Sequence, residues 1–342
     1  MNAYRTVLIG AGRVAAGYAH DPLNVASVRY ATHAQVLASH PRFAWGAVVD
    51  RSGDAAASVA RQYSVPLSST NVAEIIEPLD PEVAVLAIPP SGRYEILAAL
   101  PNIRAVIVEK PLGATIDEAR QFLQACSDRR ILVQVNLWRR ADPVFRSLSA
   151  GLLREQIGSV QAIVCMYGNG LRNNAIHMVD AVRMLVGEFQ SVQSVGPSRT
   201  PQPGMAVRPA EEDRDVFFAA IVDEDITASF HPLAFAHYRE NGLDIWGTDG
   251  RLSILVEGLV VQSYARRESR MLTAEFEVSA DRPIVQPSVE GQAFYELYSN
   301  LAAALDTTEE LCCSGEEALR STLVIDAVER SLSSGKSVSC RP

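Results

Sequence analysis

The sequence predicts an α/β protein with a doubly wound parallel sheet in its N-terminal half and a mostly antiparallel sheet in its C-terminal half. Up to about residue 135, short β-branched apolar runs alternate with Ala-rich segments of helical length, the order typical of a parallel sheet. A glycine-rich turn follows the first run directly. Further along the chain, strand-like runs follow one another through short turns such as Thr248–Gly250, which favours antiparallel pairing.

The apolar runs of the N-terminal half are continuous rather than alternating, as expected of strands that are buried on both faces. The predicted strands are Thr6–Ile9, Ala44–Val49, a weaker strand near Val65, Val83–Ile88, Ala105–Val108 and Ile131–Val135. The predicted helices between them are Asp54–Tyr63, Asn71–Ile76, Arg93–Leu100 and Thr115–Arg129. Thr115 and Glu118 have the spacing of a capping box, which marks the start of the last of these helices.

The C-terminal half mixes helices with a longer series of strands. Helices are predicted over Asp142–Leu153, over Asn173–Val186 and after Ser314. Strands are predicted over Val160–Tyr167, Val216–Ile221, Thr227–His231, Leu243–Gly247, Leu252–Val256, Leu259–Gln262 and Leu272–Val278. The change from alternating strands and helices to a longer series of strands predicts two domains, over residues 1–136 and 137–342. The last helix (about 315–333) is a candidate to pack back on the first domain.

Composition excludes several classes of protein. The 342 residues are 48% hydrophobic, enough for two cores, and the net charge of −9 argues against a nucleic-acid partner. No run approaches the roughly 18 apolar residues of a membrane span, and the N-terminus does not have the pattern of a signal peptide. The five cysteines have no C-x-x-C spacing, which predicts neither a disulfide framework nor a zinc site. We therefore expect a cytoplasmic protein with no membrane partner.

The turn after the first strand has the pattern G-x-G-x-x-A over Gly10–Ala15. In dinucleotide-binding sheets the first glycine allows a tight turn, the second lets the backbone approach a pyrophosphate, and the small third residue allows close helix packing. Because the pattern follows a strand at the start of an alternating chain, it predicts a dinucleotide site rather than an ordinary glycine turn. The predicted contacts are Gly10, Ala11, Gly12, Arg13 and Val14.

Asp50 ends the second strand, where a carboxylate would bind the adenosine ribose, although it lies farther from the glycines than the usual ~20 residues. This carboxylate favours NAD because it repels a 2′-phosphate. Arg51 could instead accommodate that phosphate, so NADP stays open, and Asp50 could also be an ordinary acid in a loop or at a helix N-terminus. Ile88 ends the fourth predicted strand and Pro89 follows it, and both are expected to contact the cofactor where the chain passes over its nicotinamide half.

The sequence Glu109-Lys110-Pro111 follows the fifth strand, and ligands of such sheets bind at the carboxyl ends of strands. A lysine in this place can polarise a substrate oxygen or relay a proton. On the spacing alone, a surface lysine in a loop is an equally good interpretation.

Three stretches, Gly10–Ala15, Glu109–Leu112 and Ile176–Asp180, resemble the glucose-fructose oxidoreductase/inositol dehydrogenase/MocA family. Two later pieces, Gly247–Leu252 and Cys313–Ala318, match the same family in order and separation. The resemblance implies an N-terminal Rossmann domain, a C-terminal domain built on a large, open, mostly antiparallel sheet, and NAD(P)-dependent oxidoreductase activity. It also implies a homodimer or homotetramer formed through that sheet. The further cofactor contacts expected on this basis are Glu109, Lys110 and Asn136.

Within the family, Gly170–His177 and Asn136–Arg140 look most like members encoded with surface-polysaccharide and nucleotide-sugar genes. The common family pattern has an aspartate four residues before the histidine, whereas this chain has Asn173 before His177. Positions i and i+4 share a helix face, so both side chains, with Asn174 beside them, are expected to face the substrate. An amide cannot take a proton, which leaves His177 as the group suited to general base catalysis. Without the resemblance, the solvated start of an amphipathic helix is the better interpretation.

The predicted catalytic residues are therefore Lys110, His177 and Asn173. The predicted substrate contacts are Lys110, Arg139, Arg172, Asn173, Asn174, His177 and Tyr238. The arginines could equally form ordinary ion pairs, and Tyr238 could pack elsewhere. No metal is expected. The histidines expected to be surface or packing residues are His20, His33, His40, His231 and His237.

The expected reaction is hydride transfer between the nicotinamide C4 and a secondary alcohol or ketone of a sugar or nucleotide-linked sugar. Two alternatives stay open. One is a non-catalytic dinucleotide-binding sensor or regulator on the same fold, which Asn173 motivates. The other is a reductase of a non-sugar carbonyl compound.

Overall fold

The structure, a computed structural model, describes residues 3–22, 28–201, 213–279, 282–286 and 291–340. The chain forms two compact units, the first being Met1–Asp142 with Val289–Leu319 and the second Pro143–Ser288 with Arg320–Pro342. This division differs from the predicted one. Residues 289–319 return to the first unit, and the first break follows Asp142 instead of residue 136.

Most strands occupy the places that the apolar runs predict, with shifts at their ends, but Phe189–Ser194, Ile284–Gln286 and Val338–Ser339 have no predicted counterpart. In the first unit the strands are β1 (Tyr4–Ile9), β2 (Phe43–Val49), β3 (Leu67–Ser69), β4 (Val83–Leu86), β5 (Ala105–Val108) and β6 (Leu132–Val135). In the second unit they are β7 (Val160–Gly168), β8 (Phe189–Ser194), β9 (Phe218–Val222), β10 (Ile226–Leu233), β11 (Gly242–Gly247), β12 (Gly250–Leu255), β13 (Val260–Glu268), β14 (Phe276–Val278), β15 (Ile284–Gln286) and β16 (Val338–Ser339).

The helices follow the prediction less closely. In chain order they are α1 (His33–Ser39), α2 (Gly53–Tyr63), α3 (Ile76–Leu79), α4 (Arg93–Ala99), α5 (Ile116–Asp128), α6 (Pro143–Ser147), α7 (Leu153–Ile157), α8 (Ile176–Leu185), α9 (Gln292–Asp306) and α10 (Gly315–Ser334). Shorter turns are 3-10 helical at Gly17–His20, Val72–Ile75, Trp138–Ala141 and Val256–Gly258, and π-helical at Leu148–Leu152 and Leu171–Ala175. The predicted helix Asp142–Leu153 is thus divided, with Gly151 at φ 133° breaking its backbone. Within the described ranges, no helix combines the length and the hydrophobicity needed to cross a bilayer.

The first-unit sheet has the strand order β3-β2-β1-β4-β5-β6, and every described pair is parallel. Strands β4 and β5 are wholly buried because both faces are covered. Val83 and Val85 pack in one core cluster with Leu297 of α9, whereas Ala84 and Leu86 belong to the cluster on the opposite face. The predicted doubly wound parallel sheet is confirmed.

Helix α9 has no counterpart among the predicted elements. Its buried residues Phe294, Leu297, Tyr298 and Leu301 recur at the i, i+3, i+4, i+7 spacing of an amphipathic helix. They pack in the core cluster that lines one face of the first-unit sheet. This packing is the physical reason why the late segment belongs to the first unit.

The glycine turn is not followed directly by an α-helix. The amide of Ala16 donates to the carbonyl of Gly12 at 3.0 Å, but α1 begins only at His33, where Thr32 caps it. The amide of His33 donates to the carbonyl of Val14 at 3.1 Å. Helix α1 is therefore anchored to the end of the turn by hydrogen bonds rather than by continuous helix.

The second-unit sheet has the order β14-β13-β12-β11-β7-β10-β9-β8-β16, with β15 paired to β13. Of the described pairs, β7 and β10 are parallel and the others are antiparallel, which confirms the predicted mostly antiparallel sheet. Alternate residues of β7, such as Ile163 and Cys165, are buried in a core cluster that includes Val182 of α8 and Val324 of α10.

Candidate cofactor and active site

The carboxyl ends of the parallel strands bring predicted cofactor residues to one edge of the first-unit sheet. Gly10 follows β1, Asp50 follows β2, Glu109 follows β5 and Asn136 follows β6. The amide of Gly10 continues the sheet by donating to the carbonyl of Val49 at 2.7 Å. The strand order reverses between β1 and β4, and doubly wound sheets bind ligands in the crevice at this point.

The two glycines of the turn have different structural requirements. Gly10 has φ 100°, and a Cβ there would lie 2.5 Å from the carbonyl oxygen of Ala87. A Cβ on Gly12 would meet no described atom within 4 Å. The fold therefore requires Gly10, whereas the space at Gly12 fits a phosphate group approaching the backbone.

The carboxylate of Asp50 is bonded to the turn itself. Its Oδ2 accepts a hydrogen bond from the amide of Ala11 at 2.7 Å, and its Oδ1 accepts one from the amide of Ser52 at 2.8 Å. Ser52 is also the residue that caps α2, and Arg51 between them is exposed. Asp50 thus joins the ends of β1 and β2 and fixes a negative charge between them.

Arg93 is a buried cation that the sequence patterns do not single out. It is 2% exposed, and its Nε and Nη2 donate to the carbonyl of Ile88 at 3.1 and 2.7 Å, just before Pro89. Its Nη1 donates to the carbonyl of Pro111 at 2.8 Å. Burial lowers the pKa of Arg93 to about 10, while the charge of Glu109 opposes that shift. Arg93 therefore stays charged near neutral pH and ties together the segments that follow β4 and β5.

Glu109 is the centre of a buried hydrogen-bond network. Its Oε1 accepts a bond from Nδ2 of Asn136 at 2.6 Å and lies 3.0 Å from Nε2 of His33, whose Nδ1 is 2.7 Å from the hydroxyl of Tyr298. Burial alone would raise the pKa of Glu109, but the bonds from His33 and Asn136 and the charge of Lys110 lower it overall. His33, expected to be a surface or packing residue, is completely buried and hydrogen-bonded within this network.

Lys110 is half-buried beyond the end of β5, and its peptide bond to Pro111 is cis. Among the 31 lysines and arginines of the chain, only Lys110 and Lys336 are lysines. A lysine can exchange its proton in an enzyme site, whereas an arginine cannot be deprotonated in proteins. This contrast is a sequence signal that favours a chemical role for Lys110 over an ordinary surface charge.

The predicted catalytic residues of the second unit lie around the start of α8. Asn173 belongs to the π-helical turn and His177 to the first turn of α8, and both are half-buried. Asn174 between them is 8% exposed, and its Nδ2 has no hydrogen-bond partner among the described residues. A buried donor without a partner costs about 1–3 kcal/mol, which a bound hydroxyl group would offset.

Two buried aspartates, which the sequence patterns do not single out, hold the backbone ahead of α8. Asp213 accepts hydrogen bonds from the amides of Arg172 and Asn173, both at 3.0 Å, and Asp215 accepts one from the amide of Gly170 at 2.8 Å. Gly170 has φ 98°, and a Cβ there would collide with the Asp213 carboxylate. Burial raises the pKa of both aspartates, that of Asp215 to about 6. These bonds fix the backbone of the predicted Asn173 site.

The remaining predicted substrate contacts have varied surroundings. The guanidinium of Arg172 donates two hydrogen bonds to Glu329, at 2.7 and 2.6 Å, an ion pair of the kind the sequence leaves open. Arg139 is 3% exposed and lies over the ring of Trp138, 4.3 Å from its centroid. Tyr238 is 64% exposed. Substrate binding by these residues stays a prediction.

Comparison with protein-family models shows which family the chain belongs to. Residues 4–137 match the NAD-binding Rossmann domain of the glucose-fructose oxidoreductase/inositol dehydrogenase/MocA oxidoreductases, and residues 168–340 match their C-terminal alpha/beta domain. The chain belongs to this oxidoreductase family. The predicted family, its fold class and its NAD-binding domain are thereby confirmed.

Several named relatives of this family member are sugar or polyol dehydrogenases. The levoglucosan dehydrogenase of Pseudarthrobacter phenanthrenivorans is 26% identical over 285 residues, which cover 69% of this chain and 71% of that protein. The inositol 2-dehydrogenase/D-chiro-inositol 3-dehydrogenase of Shouchella clausii is 28% identical over 169 residues, 45% of this chain. That match spans about half of the relative's own length, 49%.

Solved structures share the fold over the whole chain. The oxidoreductase domain protein from Kribbella flavida has a TM-score of 0.77 at 18% identity and covers 100% of both chains. The WlbA dehydrogenase from Bordetella pertussis, solved with NADH and UDP-GlcNAcA, has a TM-score of 0.73 at 16% identity and covers 100% of this chain and 99% of its own. At such identities the likeness shows the fold alone.

Proposed function

We propose that this protein is an NAD-dependent dehydrogenase that acts on a secondary alcohol, or the corresponding ketone, of a sugar or a nucleotide-linked sugar. The observation that carries the proposal is the placement of the glycine turn, Asp50 and Glu109-Lys110 along one edge of a doubly wound sheet in a member of this family. The substrate class is supported by relatives named for levoglucosan and inositol, and by the UDP-GlcNAcA in the WlbA structure.

The preference for NAD over NADP rests on Asp50. Two backbone amides, from Ala11 and Ser52, hold its carboxylate at the end of β2, so a 2′-phosphate bound there would meet a fixed negative charge. The space over Gly12 would take the pyrophosphate. Asp50→Ala is expected to weaken NAD binding about tenfold and to strengthen NADP binding, because NAD loses a hydrogen-bond partner whereas NADP loses a repulsive charge.

The side chains have distinct parts in the proposed reaction. When bound, the nicotinamide supplies the hydride acceptor or donor. Lys110 polarises the substrate oxygen, and His177 accepts the hydroxyl proton in the oxidation direction. Asn173 hydrogen-bonds the substrate and positions it, because its amide can donate and accept hydrogen bonds but cannot take the proton.

Mass spectrometry of small molecules released on denaturing the freshly purified protein is the first test. Recovered NAD(H) supports the cofactor proposal, and NADP(H) in its place would assign the ribose site to Arg51. Turnover is then measured with levoglucosan, myo-inositol and UDP-sugars, each with both cofactors. Cofactor binding without turnover of any polyol or sugar would favour the sensor alternative, and turnover of simple ketones alone would favour the carbonyl reductase.

We also propose that the protein forms a homodimer or homotetramer through the second-unit sheet. On β7, Val164 and Met166 alternate with the buried residues and stay half-buried, and Trp246 on the neighbouring β11 is 37% exposed. Apolar side chains on one sheet face favour a covering partner. Light scattering of Val164→Arg is expected to show monomers if this face is the interface.

The cytoplasmic location stays a prediction from the cysteine pattern.

A further inference from the structure

His33 is a completely buried histidine that is held at three points. Its backbone amide donates to the carbonyl of Val14 at 3.1 Å, its Nδ1 lies 2.7 Å from the hydroxyl of Tyr298, and its Nε2 lies 3.0 Å from Oε1 of Glu109. The ring also packs edge-on against Phe294, with 4.9 Å between the ring centroids. Because α9 and the residue after β5 both contact this side chain, the orientation of its two ring nitrogens is defined.

Tyr298 determines where the ring of His33 carries its proton. Burial raises the pKa of Tyr298 well above its ordinary value, so the hydroxyl keeps its proton and can donate it. Nδ1 of His33 is the partner of that hydroxyl among the described residues, and it must accept if the hydroxyl donates. The proton of a neutral ring then lies on Nε2, directed at Glu109.

We propose that His33 is a positioning residue that holds Glu109 ionised and fixed at the carboxyl end of β5, and that Tyr298 sets the donor pattern of the His33 ring. The inference rests on the proposed function, because the crevice beside Glu109 is taken to hold the nicotinamide of the cofactor. Among the described residues, the side-chain hydrogen bonds of Glu109 reach only Oε1. Oε2 therefore keeps its capacity to accept a bond or to interact with a cation.

The expected consequence is a preference for the oxidised cofactor. The nicotinamide ring of NAD⁺ is cationic and that of NADH is neutral, so an ionised carboxylate nearby favours NAD⁺. The groups that interact electrostatically with Glu109 are His33, Lys110 and Arg93, and His33 also contributes its hydrogen bond. Without the bond from His33, burial would raise the pKa of Glu109. Affinity for NAD⁺ would then fall as the pH falls from 7 to 5, whereas affinity for NADH would stay flat.

The test compares His33→Phe, which keeps a ring but removes both nitrogens, with Tyr298→Phe, which removes only one hydroxyl. Tyr295→Phe is the matched control, because Tyr295 lies on the same helix and its hydroxyl has no hydrogen bond among the described residues. The first readout needs no cofactor. The chain has two lysines, so ¹³C-labelled lysine gives two side-chain signals, which Lys336→Met assigns. The Lys110 signal then reports the titration of the adjacent Glu109.

The second readout is the ratio of the NAD⁺ and NADH dissociation constants, measured by fluorescence titration at pH 5 to 7. In His33→Phe we expect Glu109 to titrate about one pH unit or more higher, and NAD⁺ affinity at pH 6 to fall about fivefold with NADH affinity within twofold. Tyr298→Phe is expected to shift both readouts less, in the same direction, and Tyr295→Phe to shift neither. If His33→Phe does not fold, the test is the comparison of Tyr298→Phe with the wild type and with Tyr295→Phe.

Two results would overturn the inference. One is a folded His33→Phe protein in which the Lys110 signal titrates as in the wild type. The other is an equal loss of NAD⁺ and NADH affinity, which would mean that His33 only supports the fold. If the wild-type protein binds neither dinucleotide, the proposed function fails, while the lysine titration still decides whether His33 controls the charge of Glu109.

Discussion

The guanidinium of Arg93 donates a 2.8 Å hydrogen bond to the carbonyl of Pro111, so that α4 holds the segment directly after Lys110. The same side chain donates to the carbonyls of Ile88 and Leu112. Arg93→Met would leave these buried carbonyls without their donor, at a cost of about 1–3 kcal/mol each. We expect the free energy of unfolding, measured in urea, to fall by about 3 kcal/mol or more.

Arg120→Met is the matched control for this substitution. Its side chain is 56% exposed and lies 3.9 Å from Asp117, a surface pair that contributes little. We expect the free energy of unfolding to change by less than about 0.5 kcal/mol. Equal losses in the two variants would show that the Arg93 bonds do not stabilise the fold.

Alanine at the two glycines of the turn is expected to separate folding from cofactor binding. Gly12→Ala meets no described atom within 4 Å, so the thermal stability should stay near that of the wild type, while NAD affinity falls because the methyl group occupies the pyrophosphate space. Gly10→Ala places a methyl group 2.5 Å from the carbonyl oxygen of Ala87 at φ 100° and should cost about 2 kcal/mol or more of stability. Calorimetry measures the stability of both variants, and NAD titration measures their affinity for the cofactor. Unchanged NAD affinity in Gly12→Ala would contradict the cofactor assignment.

The sequence predicts those parts of the site that local patterns specify. Strands β4 and β5 appear as continuous apolar runs because both of their faces are buried, and the turn at Gly10 appears because its backbone conformation needs glycine. Since the carboxyl ends of parallel strands share one edge, the order of the strands then places Asp50 and Glu109 on that edge.

The parts that sequence reasoning misses depend on partners distant in the chain. His33 meets Tyr298 across 265 residues, and nothing near His33 in the sequence distinguishes it from a surface histidine. Arg93 binds backbone carbonyls, which carry no side-chain signal at all. Helix α9 does have a local signal, because its apolar residues recur at helical spacing, but that spacing does not specify which sheet they cover.

The pH dependence of stability is expected to carry a contribution from Asp215. Burial raises its pKa from 3.8 to about 6, while the amide of Gly170 opposes the shift and the charge of Asp213 adds to it. Because the folded pKa is the higher one, the native state binds the proton more tightly, and the free energy of unfolding decreases as the pH rises from about 4 to about 6. Above that range the ionised Asp215 costs on the order of 3 kcal/mol.

Asp215→Asn tests this contribution, because the amide oxygen can still accept the bond from Gly170 while the charge is removed. We expect the free energy of unfolding at pH 7 to rise, and its slope between pH 4 and 6 to become flatter, in urea titrations at a series of pH values. Asp225→Asn, at an exposed position between β9 and β10, is the control and should leave the slope unchanged. A wild-type slope in Asp215→Asn would assign the pH dependence to other groups.

Lys110→Met is expected to reduce turnover while cofactor affinity stays near that of the wild type. Methionine keeps an unbranched chain but has no ammonium group to polarise a substrate oxygen, and a positioned acid–base group contributes on the order of 10²- to 10⁴-fold. Lys336→Met removes the other lysine, which is exposed, and should leave turnover unchanged. Steady-state kinetics and NAD titration of both variants separate catalysis from binding. His177→Gln should also lose turnover, but its residual activity should no longer follow the titration of a histidine. If Lys110→Met turned over at the wild-type rate, the lysine would be a charge beside Glu109 and not part of the chemistry.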